Sequence, residues 1–341
     1  MNYVTSIEKI QEVLSNQQNR ILLKKVKNLV LIGEMYLNSI KLLKNENIKT
    51  YYADPRKMDF KSSDNKITLF GEDGKVIDLT KSSAVDTVIL MRSGYSMPVV
   101  KAFLNEVQSF GILILNNSEP VEISSDKYLT AKMLESNGLP QPKFSLITSD
   151  DVSKEDTSKL DKKLLNIYKK ADDNNKFVCK ILNGHGGKGV FKCRGKNITS
   201  ILQAIFKISP KTNILVQDLQ DIKDGDIRVH VITINGKQEI INACLRHKGK
   251  NDFRTNLSLG NSMEDDYKLT KEQETLALKA ASISGLTWCG VDILPLTNGN
   301  NMIVELNGAP GPSSSIDDPD IEETNHKFFA KTIECIDKLC K

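Results

Sequence analysis

Long apolar runs are missing from this sequence of 341 residues. None approaches the roughly 18 residues that a membrane-spanning helix requires. The first twenty residues have neither the basic start nor the apolar stretch of a secretory signal, so we expect a cytoplasmic protein that does not enter a membrane. The six cysteines include no C-x-x-C pair and follow no zinc or disulfide spacing, which predicts reduced thiols.

An excess of one charge and aromatic side chains are also scarce. Lys and Arg number 47 against 43 Asp and Glu, which leaves a net charge of +4, and aromatic residues make up 6% of the chain. A nucleic-acid surface needs a basic patch or a basic–aromatic stripe, so we expect no nucleic-acid partner. This near balance of positive and negative charge is compatible with an enzyme that binds an anion in a local, positively charged pocket. At 39% hydrophobic residues, the chain can form the cores of about two domains.

Strand and helix patterns alternate in the first third of the chain. Compact apolar runs predict four strands, at 28–33, 48–53, 86–94 and 111–115. Helical patterns follow Gly33 and cover 97–110, and the alternation predicts an open, largely parallel sheet. The runs ITLF and VIDL flank EDGK and predict a β-hairpin. No G-x-G-x-x-G follows the first strand, which favours a plain strand–helix turn over a nucleotide-binding turn.

The rest of the chain begins with a predicted break at 116–125, which is rich in turn formers. A helix is predicted over 125–138, with Ser124 or Ser125 as its cap and Gly138 at its end. Further helices are predicted over 150–174, 270–285 and 321–338. Further strands are predicted at 177–182, 190–193, 214–219, 226–234, 238–246, 287–294 and 301–306. Asn235–Gly236 predicts a tight hairpin turn.

A glycine-rich loop joins two predicted strands in FVCKILNGHGGKGVFKC, residues 177–193. Small residues let backbone N–H groups approach a ligand closely, and successive N–H groups form a concavity that binds anions. Lys180 precedes the loop and Lys188 lies inside it. No Ser or Thr follows that lysine and no helix follows the loop, so it is not a Walker A sequence. The loop residues are compatible with two interpretations, a flap that covers phosphates or an ordinary flexible hairpin loop.

Two carboxylates lie in apolar strands near the end of the chain. Asp292 belongs to VDIL, Glu305 belongs to IVELNG, and Asn307 follows on the same face of the same strand. Carboxylate and amide oxygens suit Mg²⁺ carried with a nucleotide, and a metal would account for carboxylates in apolar surroundings. The alternative is a hairpin with these carboxylates in solvent. The Glu-x-Asn spacing and the apolar flanks favour the metal.

Several arginines fall on or beside the later strands. Arg228 lies in DIRVHV, Arg246 ends a strand, and Arg254 and Asn256 belong to NDFRTNLSLG. Arginine binds carboxylates and phosphates in a fork geometry, so these residues could hold an anionic substrate and stabilise transition-state charge. A scatter of surface arginines is the alternative.

Five segments in this order resemble the ATP-grasp fold, and within it the RimK-type glutamate ligases. They are DKYLTAKMLESNGLPQP, FVCKILNGHGGKGVFKC, ILVQDLQDIKDGDIRVHVI, NDFRTNLSLG and GVDILPL…MIVELNGAPG. The resemblance implies an α/β chain in which two α+β subdomains hold ATP behind an N-terminal Rossmann-like domain. The implied boundaries are 1–120 for the N-terminal domain, 121–205 for the central subdomain with the flap, and 206–341 for the C-terminal subdomain with the Mg²⁺ and substrate site.

The resemblance also implies roles around the nucleotide. Lys127 and Lys180 are similar to the two lysines that hold the phosphates, and Asp226 is similar to the acid on the ribose side. The implied flap consists of Gly184, Gly186, Gly187, Lys188 and Gly189. The implied hinge that contacts adenine consists of Gln217, Asp218 and Leu219, with Asp218 where the family usually has Glu.

The same resemblance assigns the reacting end of the site. Arg246 and Arg254 are similar to catalytic arginines that stabilise the acyl phosphate, and Asn256 is similar to a residue on the phosphate side. Asp292, Glu305 and Asn307 are similar to the Mg²⁺ ligands. The residues 258–261 depart from the family, because Ser, Leu, Gly and Asn replace a basic residue and paired glycines. One positive charge is therefore missing, which weighs against glutamate as the substrate.

The implied activity is ATP-dependent ligation of a carboxylate to an amine through an acyl phosphate. ATP and two Mg²⁺ ions are the implied cofactors, with Mn²⁺ as an alternative ion. The acid is a small molecule, a peptide or a protein tail, and the resemblance allows a homo-oligomer. Two other functions are weighed: a kinase of the same fold that phosphorylates a hydroxyl, and a nucleotide-binding module without turnover. The intact lysines and carboxylates argue against the second.

Overall fold

The computed structural model describes residues 21–33, 48–70, 76–152, 156–168, 172–182, 188–195, 197–249, 253–255, 262–311 and 321–341. Their strands are β1 (Asn28–Ile32), β2 (Lys49–Ala53), β3 (Asp59–Ser63), β4 (Lys66–Phe70), β5 (Val76–Thr80), β6 (Thr87–Met91), β7 (Leu113–Leu115), β8 (Phe144–Ile147), β9 (Lys176–Ile181), β10 (Val190–Arg194), β11 (Ile214–Asp218), β12 (Gly225–Ile234), β13 (Lys237–His247), β14 (Met263–Glu264), β15 (Trp288–Pro295) and β16 (Asn301–Asn307). Their α-helices are α1 (Pro98–Ser109), α2 (Ser118–Ser125), α3 (Lys127–Ser136), α4 (Ser158–Leu165), α5 (Asn197–Ile208), α6 (Lys271–Ser284) and α7 (Ile321–Leu339).

The first sheet is parallel, as the alternating pattern predicts. Its strand order is β2-β1-β6-β7, and every pairing in it is parallel. All five residues of β6 are buried because both faces of the sheet are covered. One face packs on α1 and on the antiparallel strands β3–β5, and the other face packs on α7. The predicted pairing of ITLF with VIDL is confirmed by β4 and β5, whereas the EDGK turn lies outside the described residues.

Two antiparallel sheets follow. The central sheet has the order β10-β9-β11-β8, and the C-terminal sheet has the order β14-β13-β12-β15-β16. Between β12 and β13, Asn235 and Gly236 have φ angles of 49° and 78°, as the predicted two-residue hairpin turn requires. The C-terminal sheet shares one core with α3 and α6, and the central sheet packs on α4 and α5. The division at 1–120, 121–205 and 206–341 stays a prediction.

Three local predictions are wrong. The helix predicted over 150–174 is much shorter, since α4 covers only Ser158–Leu165 among the described residues of that range. The residues predicted as a break at 116–125 contain the helix α2, because turn formers such as Asn, Ser and Pro also favour the start of a helix. The cap of the next helix is neither of the two predicted serines. Asp126 caps α3, since its side chain accepts hydrogen bonds from the backbone N–H groups of Tyr128 and Leu129. The cap therefore places Lys127 at the first helical position.

Each further strand predicted in the second half of the chain is present, within one or two residues of its predicted bounds. The helix predicted after Gly33 lies outside the described residues, and α5 is an additional helix that no prediction covered. The cysteines are free thiols, as predicted, and five of the six are buried. Across the described ranges no helix is both long enough and apolar enough to span a bilayer.

Candidate active site

A cavity of about 690 Å³ opens between the central and C-terminal sheets. Its walls come from β9, β11, β12, β15 and β16, together with the segments that follow β6, β13 and β16. Six cations and four carboxylates line it, so the pocket carries the local positive charge that the composition permits. Such a pocket suits a polyanion.

The apolar end of the cavity lies beside the predicted hinge. Val178 and Val190 approach from the central sheet, and Leu294 and Val304 approach from the C-terminal sheet, which leaves a slot between apolar side chains. Asp218 lines this slot, and its Oδ1 is buried without a hydrogen-bond partner among the described residues. Burial raises the pKa of this carboxyl. An apolar slot with a buried acceptor fits a flat heterocycle that carries an N–H donor, such as adenine.

The other two hinge residues are also at this end. Gln217 pairs with Val178 in the register of β9 and β11, and it is buried. The backbone N–H of Leu219 donates to the carbonyl of Lys176. The three consecutive residues predicted as the hinge therefore all line the cavity.

Two neighbouring lysines line the cavity. Lys180 lies on β9, and Lys127 donates from Nζ to the carbonyl of Leu182 at 3.3 Å. The Nζ of Lys127 is also 3.8 Å from Oε1 of Glu305. Burial lowers the pKa of Lys180 to about 8, against the opposing effect of the nearby Glu305. Two lysines at one place without phosphate repel each other, and a polyphosphate would relieve that repulsion.

The glycine-rich loop is described only at its end. Gly184, Gly186 and Gly187 lie outside the described residues, as does Asn256. Lys188 is exposed and is not among the side chains that line the cavity. Gly189 has a φ of 70°, and a Cβ there would be 2.8 Å from Cδ1 of Ile181, so both conformation and space require glycine. The phosphate-covering flap stays a prediction.

The predicted metal ligands do meet. Asp292 pairs with Glu305 in the register of β15 and β16, and Asn307 donates from Nδ2 to Oδ2 of Asp292 at 3.4 Å. Two carboxylates and one amide oxygen are a hard oxygen set. Within the described ranges no cluster of three or more His, Cys, Asp or Glu could hold a metal. A set of three oxygen donors suits Mg²⁺, which keeps water or phosphate oxygens as its other ligands.

Two arginines form ion pairs with buried carboxylates of the cavity. Arg228 forms a bidentate pair with Asp292, in which Nη2 is 2.9 Å from Oδ2. Arg246 bridges two acids: Nε donates to Oδ1 of Asp226 at 3.1 Å, and Nη2 is 2.8 Å from Oδ2 of Asp292. The arginines hold the pKa of Asp292 at about 2, although its burial works in the opposite direction. The carboxylate of Asp292 is therefore ionised, and its charge is shared between two arginines.

The predicted residues of the reacting end thus fall in one place. Arg246 and Arg254 line the same cavity as Asp292, Glu305 and Asn307. Asp226, predicted on the ribose side, lies buried beneath Arg246 and also lines the cavity. None of these positions is adjacent in sequence, and the antiparallel pairing of β12 with β13 and β15 brings them together.

Sequence reasoning missed two residues that come from the N-terminal sheet. Arg92, directly after β6, lines the cavity and donates from Nη1 to the carbonyls of Ala309 and Pro310. Asn116, directly after β7, donates to the carbonyls of Trp288 and Gly308 at 2.6 Å each. The sequence does place both residues at or just after the end of a predicted parallel strand. Ligands of parallel sheets bind at these carboxyl ends, so the two positions could have been chosen as candidates.

Comparison with known proteins agrees with this geometry. A model of the RimK-like ATP-grasp domain matches residues 124–326. A probable alpha-L-glutamate ligase of Vibrio atlanticus is 30% identical over 297 residues, which cover 86% of each chain. A protein of the same name from Legionella pneumophila is 30% identical over 243 residues, covering 70% of this chain and 72% of its own.

Solved structures show the same fold at low identity. The ATP-grasp ligase PsnB, complexed with a minimal precursor, superposes with a TM-score of 0.62 at 17% identity, over 91% of this chain and 100% of its own. D-alanyl-alanine synthetase A from Vibrio cholerae superposes with a TM-score of 0.58 at 15% identity, over 92% and 98%.

Proposed function

The chain belongs to the RimK-like ATP-grasp family of ATP-dependent carboxylate–amine ligases, and from that premise we propose how its pocket carries out the ligation. Enzymes of this family use ATP and Mg²⁺. The observation that carries the proposal is the cavity itself. Apolar side chains of both sheets line it together with Lys127, Lys180, two carboxylates and an amide.

ATP binds along this cavity in the proposed arrangement. Adenine lies in the apolar slot, and its amino group donates to the buried Oδ1 of Asp218. Lys127 and Lys180 hold the phosphates, and the flap covers them. Asp292, Glu305 and Asn307 would hold Mg²⁺, which neutralises the charge of the phosphates when it is bound. Two ions fit the family resemblance, and Mn²⁺ would suit the same oxygen ligands.

The reaction proceeds in two displacements. A carboxylate oxygen of the acid attacks the γ-phosphorus, the bond to the β–γ bridging oxygen breaks, and ADP leaves. The amine nitrogen then attacks the acyl carbon, inorganic phosphate leaves, and the nitrogen loses a proton. Arg246 and Arg254 stabilise the negative charge of the acyl phosphate and of its tetrahedral successor. Catalysis of the first step is positioning and charge neutralisation, so no side-chain nucleophile is required.

The amine donor in this proposal is an amino acid. The relatives named above are probable alpha-L-glutamate ligases, which makes L-glutamate the first donor to test. The departure at 258–261 removes one positive charge, so the donor panel also includes neutral amino acids. The acid panel consists of small carboxylic acids, peptides with a free C-terminus, and a protein tail.

Phosphate release from Mg–ATP tests the proposal across these acid and amine pairs. An active pair is expected to stimulate release, and hydroxylamine in place of the amine is expected to trap the acyl phosphate as a hydroxamate. Asp292→Ala removes a proposed metal ligand and is expected to abolish both signals. The half-buried Lys132, which pairs with Glu135 outside the cavity, gives the matched control Lys132→Gln with unchanged activity. A phosphorylated alcohol as the product, with no hydroxamate, would refute the ligase reaction proposed here.

A further inference from the structure

Two cysteines lie side by side on the central sheet, outside the cavity. Cys179 on β9 and Cys193 on β10 belong to paired antiparallel strands, and their Sγ atoms are 3.3 Å apart. Val178, Lys180 and Val190 of the same two strands line the cavity. Because side chains alternate along a strand, the thiols lie on the other face of the sheet, in the core that packs on α4 and α5. The pair therefore has no part in the proposed nucleotide site.

The strand pairing holds the two sulfurs close together. Cys179 is opposite Phe191 and Cys193 is opposite Phe177, so the cysteines are diagonal neighbours on one face of the sheet. A disulfide has an S–S bond of about 2.05 Å, so the sulfurs have to approach each other by roughly 1.3 Å. Among the described strands β10 is at the edge of the sheet and pairs with β9 alone. An edge strand can make this adjustment without disturbing a second neighbour.

The environments of the two thiols differ. The thiol of Cys179 donates a hydrogen bond to the sulfur of Cys193, which lowers the pKa of Cys193 and raises the pKa of Cys179. Cys193 is 7% exposed, whereas Cys179 is fully buried. The thiolate is the form of cysteine that reacts with an oxidant, so Cys193 is the residue that reacts first. Cys179 is already in contact with it and is placed to react second.

We propose that Cys179 and Cys193 are a redox-modification site, at which a hydroperoxide forms a disulfide between the two strands that flank the glycine-rich loop. The thiolate of Cys193 attacks one peroxide oxygen: an S–O bond forms, the O–O bond breaks, and the departing oxygen takes up a proton. The sulfur of Cys179 then attacks the sulfenic sulfur of Cys193, its thiol proton goes to the departing hydroxide, and water leaves as the S–S bond forms. The two thiols lose two electrons, which reduce an organic hydroperoxide to an alcohol and water, or hydrogen peroxide to water alone. A dithiol reverses the modification by thiol–disulfide exchange.

The disulfide cross-links β9 and β10 at the base of the loop. It closes the segment 179–193, and the loss of chain entropy on closing about 15 residues corresponds to roughly 100-fold fewer openings of the strand pair. The backbone N–H groups of β10 that bond to β9 are therefore expected to exchange with solvent deuterium up to roughly 100-fold more slowly in the oxidised protein. This effect does not depend on the ligase function, because neither cysteine faces the cavity.

Treatment of the native protein with hydrogen peroxide tests the proposal. After the remaining thiols are alkylated, trypsin is expected to release the peptide FVCK, residues 177–180, joined by a disulfide to CR, residues 193–194. Four of the six thiols are expected to stay reactive when the oxidised protein is unfolded in urea. Dithiothreitol is expected to restore all six thiols and the faster exchange of β10.

Three variants separate the roles of the thiols. Cys193→Ser is expected to abolish the linkage and to leave Cys179 reduced. Cys179→Ser stops the second step, so Cys193 is expected to accumulate as a sulfenic acid that dimedone traps. Cys340 is a half-buried thiol directly after α7, and Cys340→Ser gives the matched control in which the linkage forms as in the wild-type protein.

The proposal is overturned if peroxide leaves FVCK and CR unlinked while the circular dichroism spectrum stays native. It is also overturned if the linkage appears only in urea, or if the β10 N–H groups of the linked protein exchange as fast as those of the reduced protein. Phosphate release by the reduced protein tests the ligase function separately, because it requires no oxidant.

Discussion

Lys180 is expected to take up a proton when nucleotide binds. Burial is the main cause of its low pKa of about 8, Lys127 contributes to the lowering, and neighbouring carboxylates oppose it. These carboxylates are Glu305, Asp292 and Asp226. Above that pH the amine of the nucleotide-free protein is neutral, and below it the amine is charged. A polyphosphate beside the amine favours the charged form and raises the pKa again.

The size of the uptake follows from that pKa. A group with a pKa near 8 is about 10% neutral at pH 7, about half neutral at pH 8 and about 90% neutral at pH 9. If the bound phosphate returns the pKa to its ordinary value, these fractions are the protons gained per nucleotide. Nucleotide affinity is then expected to fall about fivefold between pH 8 and pH 9 and by only about 10% between pH 6 and pH 7, because each bound nucleotide must draw a proton from solution.

Calorimetry in buffers of different ionisation enthalpy measures this uptake directly. Lys180→Arg keeps a cation that stays protonated at these pH values, so we expect binding without proton uptake. Lys176→Gln removes an exposed lysine of the same strand and is expected to keep the wild-type uptake. Equal uptake by the wild-type protein and Lys180→Arg at pH 9 would show that another group titrates and that the assigned cause is wrong.

Three substitutions test the packing around the site. Asp292→Asn removes the buried charge between Arg228 and Arg246 and is expected to lower the free energy of unfolding by about 3 kcal/mol in urea titrations without nucleotide. Asn116→Ala deletes three buried hydrogen bonds, and a loss of about 2 kcal/mol is expected in the same assay; an unchanged midpoint would contradict this role. Gly290→Ala brings a Cβ to 2.8 Å from Pro310, so phosphate release is expected to fall while the circular dichroism spectrum stays native.

The strands and the nucleotide end of the site could be predicted because their signals are local. An apolar run predicts a strand wherever it lies, and Asn235–Gly236 determines its turn by the conformations that these two residues accept. Glu305 and Asn307 share a face because side chains alternate along a strand. The break predicted at 116–125 failed for a related reason, since the same polar residues serve a turn and a first helical turn.

The pairing of charges could not be predicted, because it depends on register between distant strands. Arg228 and Asp292 are 64 positions apart and face each other only through the pairing of β12 with β15. The contacts of Arg92 span 217 and 218 positions. No spacing rule covers such separations, and composition shows only that there are enough arginines. Asn116 was missed for the same reason, since its partners lie 172 and 192 positions away.

The residues that line the cavity come from inside and from outside the matched family domain. The matched family domain covers 124–326, which contains the lysines, the carboxylates and the arginines of the C-terminal sheet. Arg92 lies outside that range, yet it contacts the segment directly after the last metal ligand. The family match thus covers the residues proposed to hold the nucleotide and the metal, whereas part of the cavity wall comes from the N-terminal sheet outside it. We therefore expect the acid and the amine to be identified by measurement on this chain and not by transfer from its relatives.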